Sequence, residues 1–154
     1  MRIYLADLGH HQLTRSSDVY PLGVANLATY TLAFLKAPTL PEIRLFREPE
    51  DLKAAIDAAP PAILGLSNYA WNHNLAWTFA RYVRRRHPQT VTVMGGPNFP
   101  LTVPEQEQFL RETPEIDGFV NGPTYEGERA FLRLVQRFVD VGQRREGLFE
   151  ESIP

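Results

Sequence analysis

Residues 62–66 read AILGL and residues 90–94 read TVTVM, and these two short runs decide the fold. Each is a continuous apolar run of strand length, which predicts a strand buried on both faces, as in a parallel sheet covered by helices on two sides. Three more short runs of strand length lie along the chain, at Arg2–Ala6, Glu42–Phe46 and 116–120.

A helical pattern follows each predicted strand, and Gly or Pro marks almost every change between two elements. The helices are predicted at residues 22–36, 49–58, 71–86, 104–112 and 125–139. The alternation predicts a (βα)5 chain, an α/β doubly wound five-stranded parallel sheet of the flavodoxin-like, Rossmann-like kind with strand order 2-1-3-4-5.

The composition excludes several classes of protein. The 154 residues are 44% hydrophobic and 22% charged, the profile of one globular domain. The absence of cysteine excludes disulfides, thiolate-held metal centres and a cysteine nucleophile, and makes a cytoplasmic location the default expectation. With 16 Lys and Arg against 18 Asp and Glu and no apolar run near the roughly 20 residues of a membrane span, we expect neither a nucleic-acid nor a membrane partner.

The carboxyl ends of the strands are the edge at which open parallel sheets bind ligands. The residues predicted to lie there are polar and rich in glycine. The candidates for cofactor binding are Asp7, Gly9, His10, Ser67, Asn68, Tyr69, Gly95, Gly96, Pro97, Asn121 and Gly122.

Common occupants of this edge leave recognisable motifs, and most of these motifs are absent. The chain has neither the G-x-G-x-x-G of a dinucleotide site nor the G-x-x-x-x-G-K-[ST] of a P-loop. A receiver domain needs an aspartate and a lysine where this chain has Ser67 and Asn121. The loop after the first strand offers Thr14, Ser16 and Ser17 but no glycine for the phosphate of FMN. A stand-alone domain that binds FMN or another nucleotide ligand therefore stays an alternative, and so does an interaction module without a cofactor.

Ser67 and the Gly95-Gly96 pair resemble the signature of cobalamin-binding domains, in which D-x-H-x-x-G follows the first strand, S-x-L the third and G-G the fourth. Longer segments resemble the amino-terminal cobalamin-binding domain of B12-dependent radical SAM enzymes. They are YPLGVANLATYTLAFL, ILGLSNYAWN, VTVMGGPNFP and IDGFVNGPTYEGERAFLRL. The resemblance extends over residues 2–139.

The resemblance implies that the chain binds cobalamin, with the flat base of the nucleotide tail between sheet and helices and the corrin over the strand ends. Gly95 and Gly96 would then let the ring system approach the backbone, and the Ser67 hydroxyl would bind the buried nucleotide end. On the residues alone, a tight turn at Gly95-Gly96-Pro97 and a capping role for Ser67 remain equally open.

The sequence departs from the signature at two places. Gly9 stands where the signature has its cobalt-ligating histidine, and His10 is one residue out of step. We therefore expect base-off, His-off binding with no metal ligand from this chain, and replacing His10 or His11 by Ala should leave the visible spectrum of cobalamin unchanged. The second departure is NGPTYEGE at residues 121–128, where the family has a compact G-E-G-E.

The resemblance also implies a parent enzyme that carries out methyl transfer or related radical chemistry. In that family, SAM and a 4Fe-4S cluster held by three cysteines belong to a separate radical SAM domain, and this chain has no cysteine. We expect residues 1–140 to form the cobalamin-binding domain and residues 141–154 a tail or linker toward that partner domain. No catalytic residue is assigned, because no nucleophile, carboxylate pair or metal-ligand cluster is visible.

The predicted helix over residues 71–86 has an apolar face that predicts core packing. Trp77 lies on the opposite face with Arg81, Arg84 and Arg85. Trp77 either belongs to a contact surface for another domain or subunit, or is half-buried beneath the aliphatic parts of arginine side chains.

Overall fold

The computed structural model describes residues 1–9, 20–121 and 127–149 and confirms the doubly wound α/β architecture. Five parallel strands form one sheet with the predicted order β2-β1-β3-β4-β5. The strands are β1 (Arg2–Ala6), β2 (Glu42–Phe46), β3 (Ile63–Ser67), β4 (Val91–Gly96) and β5 (Gly118–Asn121). The helices are α1 (Leu22–Phe34), α2 (Pro49–Ala58), α3 (His73–Arg86), α4 (Val103–Glu112) and α5 (Gly127–Asp140).

Different helices cover the two faces of the sheet, because successive strand residues point to opposite sides. Tyr4 and Ala6 pack in one core with side chains of α2 and α3. Ile3 and Leu5 pack in a second core with side chains of α1 and α5. Both cores are almost closed to solvent, which agrees with the apolar runs that predict two-sided burial.

The helices are short, and the longest have 14 residues. Within the described ranges none is long and apolar enough to cross a membrane. Pro49 and Pro104 occupy the first turns of α2 and α4, where the amide hydrogen that proline lacks has no partner within the helix.

Three strands, β3, β4 and β5, end later than the apolar pattern predicts. β3 continues to Ser67 and β4 to Gly96, and Ser67 pairs with Gly95 in the ladder. The ladder is made of backbone hydrogen bonds, so it extends beyond the apolar side chains that reveal a strand in sequence. The serine and the two glycines are therefore the last residues of strands and are held by the sheet itself.

Residues 141–149, for which the sequence predicts a tail or linker, lie against the domain. Leu148 is fully buried in the core between the sheet and the α1 and α5 helices. Arg145 donates from Nε and Nη2 to Asp117 Oδ1 over 2.8 and 2.6 Å, and Arg84 Nη2 donates to the same oxygen over 2.8 Å. The helical periodicity ends at Asp140, but the packed unit extends to at least Phe149, whose ring lies 3.6 Å from where a Cβ on Gly118 would be.

Candidate functional site

A cavity of about 170 Å³ opens at the carboxyl ends of β1, β3, β4 and β5. Its floor is the sheet face that α1 and α5 cover, and its walls include Val24, Leu27 and Phe131 from those helices. An apolar cavity of roughly 150 Å³ is enough to admit a benzene ring. This cavity therefore has room for a flat aromatic ring lying between sheet and helices.

The floor of the cavity is flat because Gly65 and Gly95 lie on it. A Cβ atom on Gly65 would lie 2.7 Å from Leu5 Cδ2, and one on Gly95 would lie 3.3 Å from the carbonyl oxygen of Val120. Glycine inside a strand often marks a place where another group approaches the backbone closely. At Gly65 the approaching group is the Leu5 side chain, and at Gly95 it is the Val120 carbonyl, so both glycines keep further side-chain atoms off the cavity floor.

Gly96 has a different role, which is to let two loops meet. Its φ is +123°, and a Cβ there would lie 2.8 Å from the backbone oxygen of Asn68. The Asn68 amide donates to Gly95 O over 2.6 Å, and the Asn98 amide donates to Asn68 O over 3.2 Å. The ends of β3 and β4 are thus joined by hydrogen bonds beyond the sheet ladder.

The Asn68 side chain strengthens that junction on the side away from the cavity. It is fully buried, its Nδ2 donates to Asn98 O over 3.0 Å, and its Oδ1 lies 2.9 Å from His73 Nδ1. Burial lowers the pKa of His73 below its ordinary value. Asn68 and His73 therefore hold the loops and do not line the cavity.

A second polar network lies at the edge of the cavity. The Ser67 hydroxyl donates to Asp7 Oδ1 over 2.5 Å, and Asn72 Nδ2 lies 3.0 Å from Ser67 Oγ. Asn72 Oδ1 accepts from the Tyr69 amide over 2.8 Å. This network connects the end of β1 with the end of β3 and with the residue just before α3.

An aromatic pair lies beside this network. The Tyr69 and Trp71 rings are stacked, with centroids 4.4 Å apart and planes 11° apart. Tyr69 lines the cavity, and Trp71 is 61% exposed. An exposed tryptophan next to an apolar cavity offers a flat surface for a further ring.

The lining is mainly apolar, and its charged side chains are Asp7 and Glu128. No Lys, Arg or His of the described ranges lines the cavity. The cavity thus offers carboxylate acceptors near its mouth but no side-chain cation for an anionic group.

The structure brings together five of the residues predicted from the sequence, namely Asp7, Ser67, Tyr69, Gly95 and Gly96. Asn68 lies behind them, and Pro97 is exposed and outside the lining. Gly9 is also exposed, and its amide donates to Arg47 O over 3.2 Å. His10 and Gly122 lie outside the described residues, and of Asn121 only the backbone is described, as the end of β5.

Sequence reasoning missed Gly65, Asn72 and Trp71. A glycine interrupting the apolar run of residues 62–66 was a usable signal for Gly65. Asn72 and Trp71 fall within the predicted helix over residues 71–86, and helical periodicity gives no sign that α3 begins only at His73. The α1 and α5 walls depend on long-range packing, which spacing alone does not reveal.

The sequence left two interpretations of Trp77, a contact surface or a half-buried ring. The structure shows the half-buried ring. The Arg81 guanidinium lies 5.6 Å from its centroid, and Trp77 packs beside Phe109. Arg84 turns inward to Asp117 and so takes no part in a surface beside Trp77.

These features define a flavodoxin-like domain with a mainly apolar cavity at the edge of the sheet where the parallel strands end. No protein-family model matches the sequence. The chain is similar to the 2-(S-pantetheinyl)-carbapenam-3-carboxylate methyltransferase of Streptantibioticus cattleyicolor, with 36% identity over 101 residues, which are 62% of this chain and 14% of that protein. It is also similar to the cobalamin-dependent radical SAM methyltransferase TokK of Streptomyces tokunonensis, with 33% identity over 95 residues, which are 58% of this chain and 13% of that protein.

The second similarity confirms the resemblance to B12-dependent radical SAM enzymes that the motifs indicate. The matched residues span only about a seventh of each relative's length. The relatives are therefore much longer than the part that this chain shares with them.

Proposed function

We propose that this chain is the cobalamin-binding domain of a B12-dependent radical SAM enzyme. The observation that carries the proposal is the cavity over Gly65 and Gly95, which lies where a ligand of this fold binds and has room for a flat ring. The benzimidazole of the nucleotide tail would lie in this cavity, and the corrin would lie over the strand ends near Trp71.

The residues present fit such a ligand. Val24, Leu27 and Phe131 give the apolar walls that an aromatic base needs, and Ser67 and Asp7 give polar atoms for the sugar part of the tail. When bound, cobalamin supplies a methyl carrier or a redox partner at this edge. The chain's own residues bind and orient the cofactor and exclude water from its tail.

The same features argue against FMN. The phosphate of FMN carries about −1.5 to −2 charges at neutral pH and is bound in proteins by cations, backbone amides or helix termini. The charged side chains on the described lining, Asp7 and Glu128, have the same sign as that phosphate. The phosphodiester of cobalamin carries a single charge and is less repelled.

Base-off, His-off binding is part of the proposal. Gly9, at the position of the ligating histidine in the signature, has no side chain to offer, and its backbone is bonded toward Arg47. The wider proposal is that SAM and a 4Fe-4S cluster are held by a radical SAM domain of the same parent chain, which performs methyl transfer or a related radical reaction. A cytoplasmic location, favoured by the absence of cysteine, belongs to the same proposal.

The binding test is equilibrium dialysis of the purified chain against hydroxocobalamin and, separately, against FMN, followed by visible spectroscopy. We expect cobalamin to accumulate with the protein and to show a base-off spectrum that is the same in the His10→Ala variant. Retention of FMN with no retention of cobalamin would overturn the proposal in favour of the nucleotide-binding alternative. Retention of neither would favour the interaction module.

The parent enzyme is tested by the coding sequence downstream of Pro154. A C-x-x-x-C-x-x-C motif is expected there, because a radical SAM cluster needs three thiolate ligands. A stop codon directly after Pro154 would contradict a radical SAM domain in the same chain.

A further inference from the structure

Asn72 is a fully buried polar residue whose side chain does not cap the helix that it precedes. Its side chain turns back to the cavity edge. The orientation of its amide is set by chemistry, because Oδ1 lies 2.8 Å from the Tyr69 amide, which can only donate. Nδ2 therefore faces Ser67 Oγ at 3.0 Å and Leu8 O at 3.3 Å.

This orientation fixes the direction of the neighbouring hydrogen bonds. Since Asn72 Nδ2 donates to Ser67 Oγ, the single Ser67 proton is directed to Asp7 Oδ1, 2.5 Å away. Asn72 Nδ2 thus donates to Ser67 Oγ and, over 3.4 Å, to Asp7 Oδ1, while Ser67 donates to that same carboxylate oxygen. Ser67 keeps one lone pair, and within the described part of the chain Asp7 Oδ2 has no hydrogen-bond partner.

We propose that Asn72 is the positioning residue of this site. By donating to Ser67, it directs the Ser67 proton to Asp7 and leaves a Ser67 lone pair and Asp7 Oδ2 as the acceptors at the cavity edge. The part of the ligand that lies against them then donates hydrogen bonds, as a sugar hydroxyl or an amide N–H does. This inference rests on the proposed cobalamin function, and it assigns the donating group to the nucleotide tail.

The test compares hydroxocobalamin with cobinamide, which has the corrin but lacks the nucleotide tail. In Asn72→Asp the Tyr69 bond can remain, but the donor to Ser67 is lost. We expect affinity for hydroxocobalamin to fall about tenfold, the effect of one or two lost hydrogen bonds, while affinity for cobinamide stays within about twofold. An equal fall for both ligands would mean that Asn72 is merely structural and would overturn the inference.

Two further variants test how Asn72 acts. Ser67→Ala should reproduce the loss for hydroxocobalamin, and adding Asn72→Asp to it should cause little further loss, because both changes remove the same arrangement. Additive losses would contradict the inference. Ser67→Ala also provides a binding test if Asn72→Asp fails to fold.

Asp7→Asn tests the sign of the hydrogen bond. The amide can keep its oxygen on Ser67 and turn its NH2 toward the cavity in place of Asp7 Oδ2. Because an NH2 cannot accept a hydrogen bond from a donating ligand group, Asp7→Asn should bind hydroxocobalamin about tenfold more weakly than the wild type. Unchanged or tighter binding would show that the ligand group accepts and would overturn the inference.

The control for lost stability is Val83→Ala, which removes a buried side chain of α3 outside the cavity lining. It should lower the unfolding midpoint without changing the ratio of the two affinities. If the wild-type chain binds cobinamide and hydroxocobalamin equally, the inference and the placement of the tail in the cavity fail, while cobalamin binding itself stands. If it binds neither, the proposed function fails with it.

Discussion

At Gly96 the backbone adopts a conformation that other residues rarely take. The φ of +123° and the 2.8 Å approach of a Cβ to Asn68 O mean that any side chain both strains this residue and pushes the β3 and β4 loops apart. We expect Gly96→Ala to lower the free energy of unfolding by roughly 2 to 4 kcal/mol in urea denaturation.

Gly23→Ala is the matched control, because nothing lies within 4 Å of a Cβ at that helical glycine. It should leave stability unchanged or raise it by about 0.5 to 1 kcal/mol. Equal urea midpoints for the two variants would contradict the strain assigned to Gly96.

Gly65 is expected to affect binding more than folding. A methyl group there meets Leu5 Cδ2, the mobile end of a side chain, so Gly65→Ala should cost about 1 kcal/mol of stability. The displaced Leu5 side chain would narrow the cavity that it lines. Cobalamin should therefore bind about tenfold more weakly, which corresponds to about 1.4 kcal/mol of binding free energy. Dialysis against hydroxocobalamin measures the loss. Gly118→Ala, a strand glycine outside the cavity lining, should bind as the wild type does.

Some site residues were predictable because their chemistry is local. Ser67 and Gly95 are visible as a serine and a glycine at the end of an apolar run, and parallel strands bring such ends to one edge. Asn72 was not predictable, because its importance lies in contacts with Leu8 and Ser67 that come from the packing of the β1 and β3 loops.

Among the elements, the segment after α5 shows most clearly how sequence periodicity and packing differ. Leu148 belongs to no helix or strand but is fully buried against α1 and α5 side chains. We expect Leu148→Ala to lower the free energy of unfolding by about 2 to 5 kcal/mol, the usual cost of emptying a buried leucine site.

Phe149→Ala is the control for that segment, since Phe149 is 43% exposed. Its cost should be clearly smaller in the same urea titration. A Leu148 variant as stable as the wild type would show that the segment is a dispensable tail.

The strand order and all five helices were predictable, because a helical pattern follows each predicted strand, which is the alternation of a doubly wound sheet. The ends of β3 and α3 were not. β3 gains Ser67 by backbone pairing with β4, and α3 begins at His73 because the side chain of Asn72 is engaged with loop residues.

At the scale of the whole molecule, His73 makes global stability depend on pH. Burial lowers its pKa in the folded state from the ordinary value of 6.5. The unfolded chain therefore takes up a proton at higher pH than the folded chain does. This contribution to stability is complete above about pH 6.5 and declines as the pH falls below that value.

Urea denaturation of the wild type at about pH 7.5 and about pH 5.5 should show lower stability at the acidic pH. In His73→Gln the difference between the two conditions should shrink. If His73→Gln loses as much stability between the two pH values as the wild type does, the pH dependence belongs to other titratable groups.

The bond from the Asn68 amide to Gly95 O couples the candidate site to the folding of the entire sheet. The two residues are distant in sequence and meet only when β3 and β4 are in register, so this amide is released when the central strands separate. Its hydrogen exchange should accordingly be as slow as that of Leu64 in mid-strand. Equal protection of the two amides would place the β3–β4 end of the candidate site in the same cooperative unit as the middle of the sheet.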